Sequence, residues 1–191
     1  RIDKLAPKLG LMSPLSINTT SLEELHEAIK EFGFPLMVKG PFYEAMKVKS
    51  VDEAIKEFYN ISAKWGFPVI VQKFVEGDEY NLIGLGDGNG NDLGHVATKK
   101  MTITKLGKVW TNVSIRNEKM FNAAKIFVSE FKWAGGYELE IIMEHKTQNL
   151  YLIEINPRFP AWIYMATGCG INLPERLVKF LLSMPYDTDS T

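Results

Sequence analysis

Apolar and polar positions change rhythm twice along the chain. In the first third, segments with helical spacing alternate with short, continuously apolar runs. Residues 2–9 predict a short helix and residues 14–20 an extended segment. Ser21 followed by Glu24 is a capping box, and behind it Leu22, Leu25, Ala28, Ile29 and Phe32 share one helical face. Gly33 stops this helix, and Phe34-Pro35 leads into a buried strand over residues 36–39. A loop over residues 40–44 and a returning strand over 45–49 follow. Ser50 and Glu53 form a second capping box, which opens a helix to about residue 64. Gly66-Phe67-Pro68 then repeats Gly33-Phe34-Pro35 and feeds a strand over residues 69–74.

The middle of the chain reads as strand. Residues 79–87 pair with 92–101 across Gly88-Asn89-Gly90-Asn91, and a further strand covers 108–114. The acidic ends of that turn faintly resemble a calcium loop. Asp92 stands where the required glycine should be and Thr98 where the bidentate glutamate should be, so the segment reads as a hairpin turn. Helical spacing returns over residues 118–131, with Phe121, Ala124, Ile126, Phe127 and Val128 apolar. Two strands follow within residues 135–158, then closing helices over 161–167 and 174–182 and a polar tail.

The hairpin within residues 135–158 carries the chemistry. Centring it on Thr147 places Glu140 opposite Glu154 and Ile142 opposite Leu152, with Asn156 on the face of Glu154. Leu139, Ile141 and Met143, with Tyr151, Ile153 and Ile155, are then expected on the opposite face. Like charges directly opposed in a sheet repel. A divalent cation offsets that repulsion, and two carboxylates with an amide oxygen suit magnesium, which completes its shell with water and phosphate oxygens. A solvated sheet face in another register is the alternative reading of the same residues.

Composition narrows the class. With 191 residues, 46% of them apolar, the chain is long enough for a packed core in one domain or two small lobes. A net charge of −1 calls for neither nucleic acid nor membrane as partner. Cys169 is the only cysteine, which excludes an intrachain disulfide. With no signal peptide in view, a cytoplasmic location is expected, and the sequons at Asn18, Asn60 and Asn112 are then chance. No apolar run approaches the ~18 residues of a membrane span. The chain begins at Arg1 rather than Met, and it is expected to belong to something longer.

In this order the segments PLMVKG, VQKFVEGDEYN, KKMTITKLGKVW, YELEIIME and YLIEINPR resemble the ATP-grasp family, most of all its compact carbamoyl-phosphate-synthetase-like members. The resemblance covers nearly the whole chain. No complete dinucleotide-binding or Walker-type glycine loop competes with it. It implies an α+β fold of two lobes, over residues 1–71 and 72–191, with the nucleotide held between their antiparallel sheets.

By position, the resemblance implies that Lys39 reaches the α- and β-phosphates. It implies that the backbone of Gln72, Lys73, Phe74 and Val75 reads the adenine edge, although most relatives carry Glu at the position of Gln72. Glu79 resembles the ribose-binding acid. Lys99 or Lys100 supplies a second basic contact to the phosphates, and strand alternation lets only one of them face the site. Glu140, Glu154 and Asn156 match the magnesium ligands, with manganese as a substitute ion. Arg158 matches an arginine near the γ-phosphate.

The implied activity is an ATP-dependent ligase that activates a carboxylate as an acyl phosphate for attack by an amine or ammonia. Two departures motivate a second reading, a nucleotide-binding module without turnover. The loop 40–46 holds one glycine and two aromatics where relatives have a glycine-rich lid, and the N-terminal domain of such enzymes would lie before Arg1. Phe159, Trp162 and Tyr164 read as packing residues or as the lining of a substrate pocket.

Overall fold

The computed structural model describes residues 2–41, 44–103 and 109–186. Phe42 and Tyr43 of the expected lid, the expected strand start at Lys108, and the tail beyond Tyr186 lie outside these residues. The chain divides into two compact units, Pro14–Val75, and Arg1–Ser13 with Glu76–Thr191.

The unit Pro14–Val75 is an antiparallel sheet of β1 (Ser16–Thr19), β2 (Leu36–Lys39), β3 (Ala45–Val48) and β4 (Val69–Lys73), in the order β1-β4-β2-β3. Its helices are α2 (Leu22–Phe32) and α3 (Val51–Trp65). Both capping boxes form. The Ser21 and Ser50 hydroxyls accept from the Glu24 and Glu53 amides, at 3.2 and 3.3 Å. Each glutamate reaches back one residue beyond the cap, accepting from the Thr20 and Lys49 amides. Leu25, Ala28, Leu36, Val38, Ala54, Phe58, Val69 and Val71 bury together. Because strand residues alternate, Met37, Lys39, Ile70 and Gln72 share the other sheet face.

The other unit opens with α1 (Ile2–Leu5) and a 3₁₀ turn (Ala6–Leu9). Its sheet, in the order β7-β6-β5-β8-β9, is antiparallel throughout: β5 (Gly77–Asp87), β6 (Asp92–Ile103), β7 (Val109–Ile115), β8 (Ala134–Glu144) and β9 (Leu150–Asn156). α4 (Glu118–Phe131), capped by Asn117, packs on one face with Met120, Ala123, Ala124, Phe127 and Val128 buried against Leu82, Tyr137, Leu139 and Ile141. α5 (Tyr164–Gly168) and α6 (Leu173–Leu181) supply Ala166 and Leu173, which bury with Ile83, Leu85 and Val96 of the opposite face.

The first thirteen residues depart from the expected division of the chain. Ala6, Leu9 and Leu11 bury in the α4-side core of the five-stranded sheet. Met12 adds a parallel bridge to the outer edge of β9, donating to the Leu150 carbonyl and accepting from the Leu152 amide at 2.8 Å each. The segment thus covers a strand edge that would otherwise expose unpaired backbone groups.

Candidate functional site

Alternation sorts the five-stranded sheet into two faces. One carries Glu79, Asn81 and Ile83 of β5, Thr98 and Lys100 of β6, Glu138 and Glu140 of β8, and Glu154 and Asn156 of β9. Ile83 and the residues beyond it on β5 are covered by α5 and α6. From Asn81 to Glu79 this face is polar, and Ile142 and Tyr151 lie at its outer end.

The hairpin register places Glu140 opposite Glu154, as expected, and Glu138 opposite Asn156. The expected pairing of Ile142 with Leu152 is corrected. A register shift follows Glu140, so that Ile141 pairs with Leu152 and Ile142 with Tyr151, leaving Ile153 as the extra residue of a bulge. The bulge has a physical consequence. It lets Leu150 and Leu152, rather than the expected Tyr151 and Ile153, bury in the core with Ile155 packed beside them. Glu154 and Asn156 still lie in the polar part of the other face. Without it, one strand could not serve both faces, because a one-residue shift exchanges them.

Lys100 resolves the alternation between the two lysines. Its ammonium bonds Glu140 Oε2 at 2.7 Å and Glu79 Oε2 at 2.9 Å, and its side chain is only 3% exposed. Burial pulls Lys100 down, but the carboxylates of Glu140 and Glu79 outweigh it and hold the ammonium above its ordinary pKa. Lys99 faces the other way. It pairs with Asp78 at 2.7 Å, lies near the Tyr80 ring, and stands apart from the carboxylate cluster.

Arg158 returns toward the sheet because Pro157 ends the strand and the Arg158 amide closes a turn on the Asn156 carbonyl, at 2.9 Å. Its guanidinium donates to Glu138, which also accepts from Asn81 Nδ2 at 2.6 Å. Burial raises the Glu138 carboxyl above the ordinary range, with Arg158 opposing that shift and Glu140 adding to it. Asn81, Thr98 and Glu138 were not foreseen. Each lies two positions from a predicted residue on the same face, and that spacing was the available signal.

Glu79, Glu138, Glu140 and Glu154 against Lys100 and Arg158 leave four negative and two positive groups, a formal excess of two negative charges. One divalent cation would balance it. Asn156 donates Nδ2 to Glu140 at 3.4 Å, which leaves its Oδ1 for coordination. Asn81 Oδ1 and Thr98 Oγ1 are buried without a protein partner among the described residues. No group of three or more His, Cys, Asp or Glu side chains forms a ready cage among them either. Two carboxylates and an amide therefore fit magnesium, which keeps water and phosphate oxygens, better than a closed all-protein site.

In the unit Pro14–Val75, Lys39 ends β2 on the sheet face away from the helices, and Gln72 shares that face. Gln72 donates to Ser16 Oγ at 3.0 Å, the Lys73 amide donates to the Leu15 carbonyl, and Lys47 sits 3.6 Å over the Phe74 ring. Phe159 and Trp162 pack into the α5–α6 cluster, while Tyr164 is exposed. Asp87, in the turn once compared with a calcium loop, accepts from the Asn89 and Asn91 amides and the Asn91 side chain, as a hairpin turn requires. A cleft of about 440 Å³ beside Asp92, His95 and Lys125 contains none of the predicted site residues.

A family model described as "ATP-grasp in the biosynthetic pathway with Ter operon" matches residues 67–191, more than half of the chain. The chain belongs to the ATP-grasp family. The carbamoyl phosphate synthase large chain of Saccharolobus solfataricus is 28% identical over 200 aligned positions, covering 94% of this chain and 18% of that protein. The corresponding chain of Pyrococcus furiosus is 25% identical over 196 positions, covering 95% and 18%. This ATP-grasp chain thus spans less than a fifth of the length of these curated relatives.

Two solved structures share the fold. The biotin carboxylase domain of Hydrogenobacter thermophilus 2-oxoglutarate carboxylase, in complex with MgADP, ADP and bicarbonate, has a TM-score of 0.80 at 17% identity over 96% of this chain and 45% of that one. Carboxyaminoimidazole ribonucleotide synthase from Aspergillus clavatus, complexed with ATP, has a TM-score of 0.78 at 18% identity over 97% and 51%. At these identities they establish the ATP-grasp architecture of two antiparallel sheets with helices. No helix among the described residues is long and apolar enough to cross a membrane.

Proposed function

We propose that this ATP-grasp chain binds Mg-ATP and takes part in activating a carboxylate as an acyl phosphate for capture by an amine or ammonia. The observation that carries the reading is the Lys100 bridge between Glu79 and Glu140 beside the opposed Glu140–Glu154 pair. A buried cation among several carboxylates on one open sheet face suits a ligand that brings its own cation and its own negative charge.

Glu140, Glu154 and Asn156 would hold magnesium, which supplies charge neutralisation at the phosphates when bound. Glu79 accepts hydrogen bonds from the ribose hydroxyls. Lys100 exchanges a carboxylate partner for a phosphate oxygen. Arg158 presents its remaining donors to the terminal phosphate and to the acyl phosphate that follows. In the other unit, Lys39 contacts phosphate, and the backbone of Gln72, Lys73, Phe74 and Val75 reads adenine. Such chemistry needs positioning and electrostatics from the protein rather than a protein nucleophile. Cys169, packed in the α5–α6 cluster, is outside it.

A second reading, nucleotide binding without turnover, is favoured by the loop after β2. Gly40 donates to the Glu44 carbonyl at 2.9 Å, and the Glu44 side chain is held by Lys64 and Trp65. Ends held in this way, at Gly40 and Glu44, differ from the free ends of a glycine-rich lid. The test is ADP release from Mg-ATP by the full-length protein, with bicarbonate and a panel of small carboxylates, each with and without ammonia. Release that depends on one acid supports the ligase. Mg-ADP binding with no acid-dependent release across the panel favours the second reading. Absence of Mg-nucleotide binding removes both.

A further inference from the structure

We propose that Glu138 is a positioning residue that sets Arg158 for the terminal phosphate of the nucleotide, an assignment that rests on the Mg-nucleotide reading above. Glu138 lies directly opposite Ile83, a core residue, and its side chain is 4% exposed. Apolar residues at both 81 and 138 would extend the cluster with no buried polar group left to satisfy. A buried carboxylate is unfavourable unless fully bonded, and an apolar replacement of such a pair is often neutral or stabilising. Stability alone therefore gives little reason for a glutamate at this position.

What the glutamate does is visible in its partners. Asn81, fully buried, donates to Oε1 at 2.6 Å. Arg158 donates one Nη1 to Oε2. Both oxygens are engaged, so Glu138 has little left with which to touch a ligand. Arg158 is the opposite case: its side chain is 52% exposed. Among the described residues its guanidinium meets Glu138 through one of five N–H donors, and a planar fork of this kind suits bidentate contact with phosphate. Asn81, Glu138 and Arg158 form a chain running from the buried centre of the sheet to its open rim. The inner end is locked, and the outer end is exposed on the sheet face that carries Glu140 and Asn156. An arginine after a strand end would otherwise sample many rotamers, so fixing it beforehand reduces what a ligand must order.

The test is titration calorimetry on the full-length protein with Mg-ADP and with the magnesium complex of a non-hydrolysable ATP analogue. The readout is the ratio of the two affinities, which isolates the terminal phosphate. Glu138→Gln is expected to leave Mg-ADP affinity within about twofold and to cut the analogue's advantage by about tenfold, the scale of a hydrogen bond to a charged group. In an Arg158→Ala background the same change is expected to leave the ratio where Arg158→Ala alone puts it. Equal weakening of both nucleotides by Glu138→Gln would make Glu138 merely structural and overturn the proposal. So would independent, multiplying effects of the two substitutions, or an Arg158→Ala ratio equal to that of the wild type. Wild-type protein that binds neither nucleotide overturns the nucleotide reading itself. If Glu138→Gln does not fold, Glu138→Asp keeps the charge, withdraws it by one methylene, and is read by the same ratio.

Discussion

Replacing Lys100 with Met keeps an unbranched side chain one atom shorter and removes its charge. Lys100 is 3% exposed, while its partners Glu140 and Glu79 are 21% and 35% exposed. Breaking one partner out of a fully buried ion pair costs about 3–5 kcal/mol. Here water reaches both carboxylates, which lowers the expected loss to about 2–4 kcal/mol. For a chain of this length, that is a fall in Tm of about 5–15 °C. Calorimetric melts of Lys100→Met, Glu140→Gln and the double variant test the cause. The double variant is expected to melt above Lys100→Met, because one of the stranded carboxylates is gone. Millimolar Mg²⁺ should restore part of the loss in Lys100→Met.

The pH dependence has a definite sign. Burial lowers the Lys100 pKa, but Glu140 and Glu79 outweigh it and leave it raised in the fold. Its contribution is therefore full below the unfolded value of about 10.4 and is lost as pH rises through the folded value. The gap between wild type and Lys100→Met should stay level from pH 7 to about 10 and close above that. A variant melting within a degree or two of wild type at pH 7, or a gap that closes by pH 9, would refute the reasoning.

A Cβ built on Gly136 would stand 2.6 Å from the Phe159 ring, so Gly136→Ala should cost about 1–3 kcal/mol in a thermal melt as the ring is displaced; an unchanged melt would show that the ring moves freely. Burial pushes the Asp87 carboxyl up, but donors on Asn91 and Asn89 outweigh it and lower its pKa, so its contribution is present above the unfolded value and lost as pH falls through the folded one. Asp87→Asn should therefore cost about 1 kcal/mol at pH 7, allowing for partial exposure, with the difference shrinking steadily below pH about 4; a difference independent of pH would point to a purely steric effect.

Much of the fold was legible because local signals agreed with the final packing. Ser21 with Glu24, and Ser50 with Glu53, mark helix starts that form as read, and the acidic hairpin places Glu140 opposite Glu154. What was hidden depends on contacts remote in sequence. The bulge at Ile153 is a compromise between two faces of one strand, and no turn residue announces it. The attachment of the first residues rests on Ala6, Leu9 and Leu11 finding a core built mostly after residue 79. Lys99 and Lys100 are chemically identical in sequence. Only the register of β6 against β5 decides that Lys100 meets Glu79 and Glu140. Glu138 gains its place only through Asn81 and Arg158, partners far from it in sequence.

The polar part of the five-stranded sheet is proposed above as a Mg-nucleotide site. Calorimetric titration of ADP with and without Mg²⁺, on wild type and Glu154→Gln, tests it most directly. Mg²⁺ should tighten ADP binding to wild type by about tenfold or more, about 1.4 kcal/mol. Glu154→Gln should keep the metal-free affinity and lose most of the Mg²⁺ increment. Its ligand-free form should melt no lower than wild type, since relief of the opposed Glu140–Glu154 charges is worth about 0.2–1 kcal/mol. A full Mg²⁺ increment in Glu154→Gln, or none in wild type, would contradict the account.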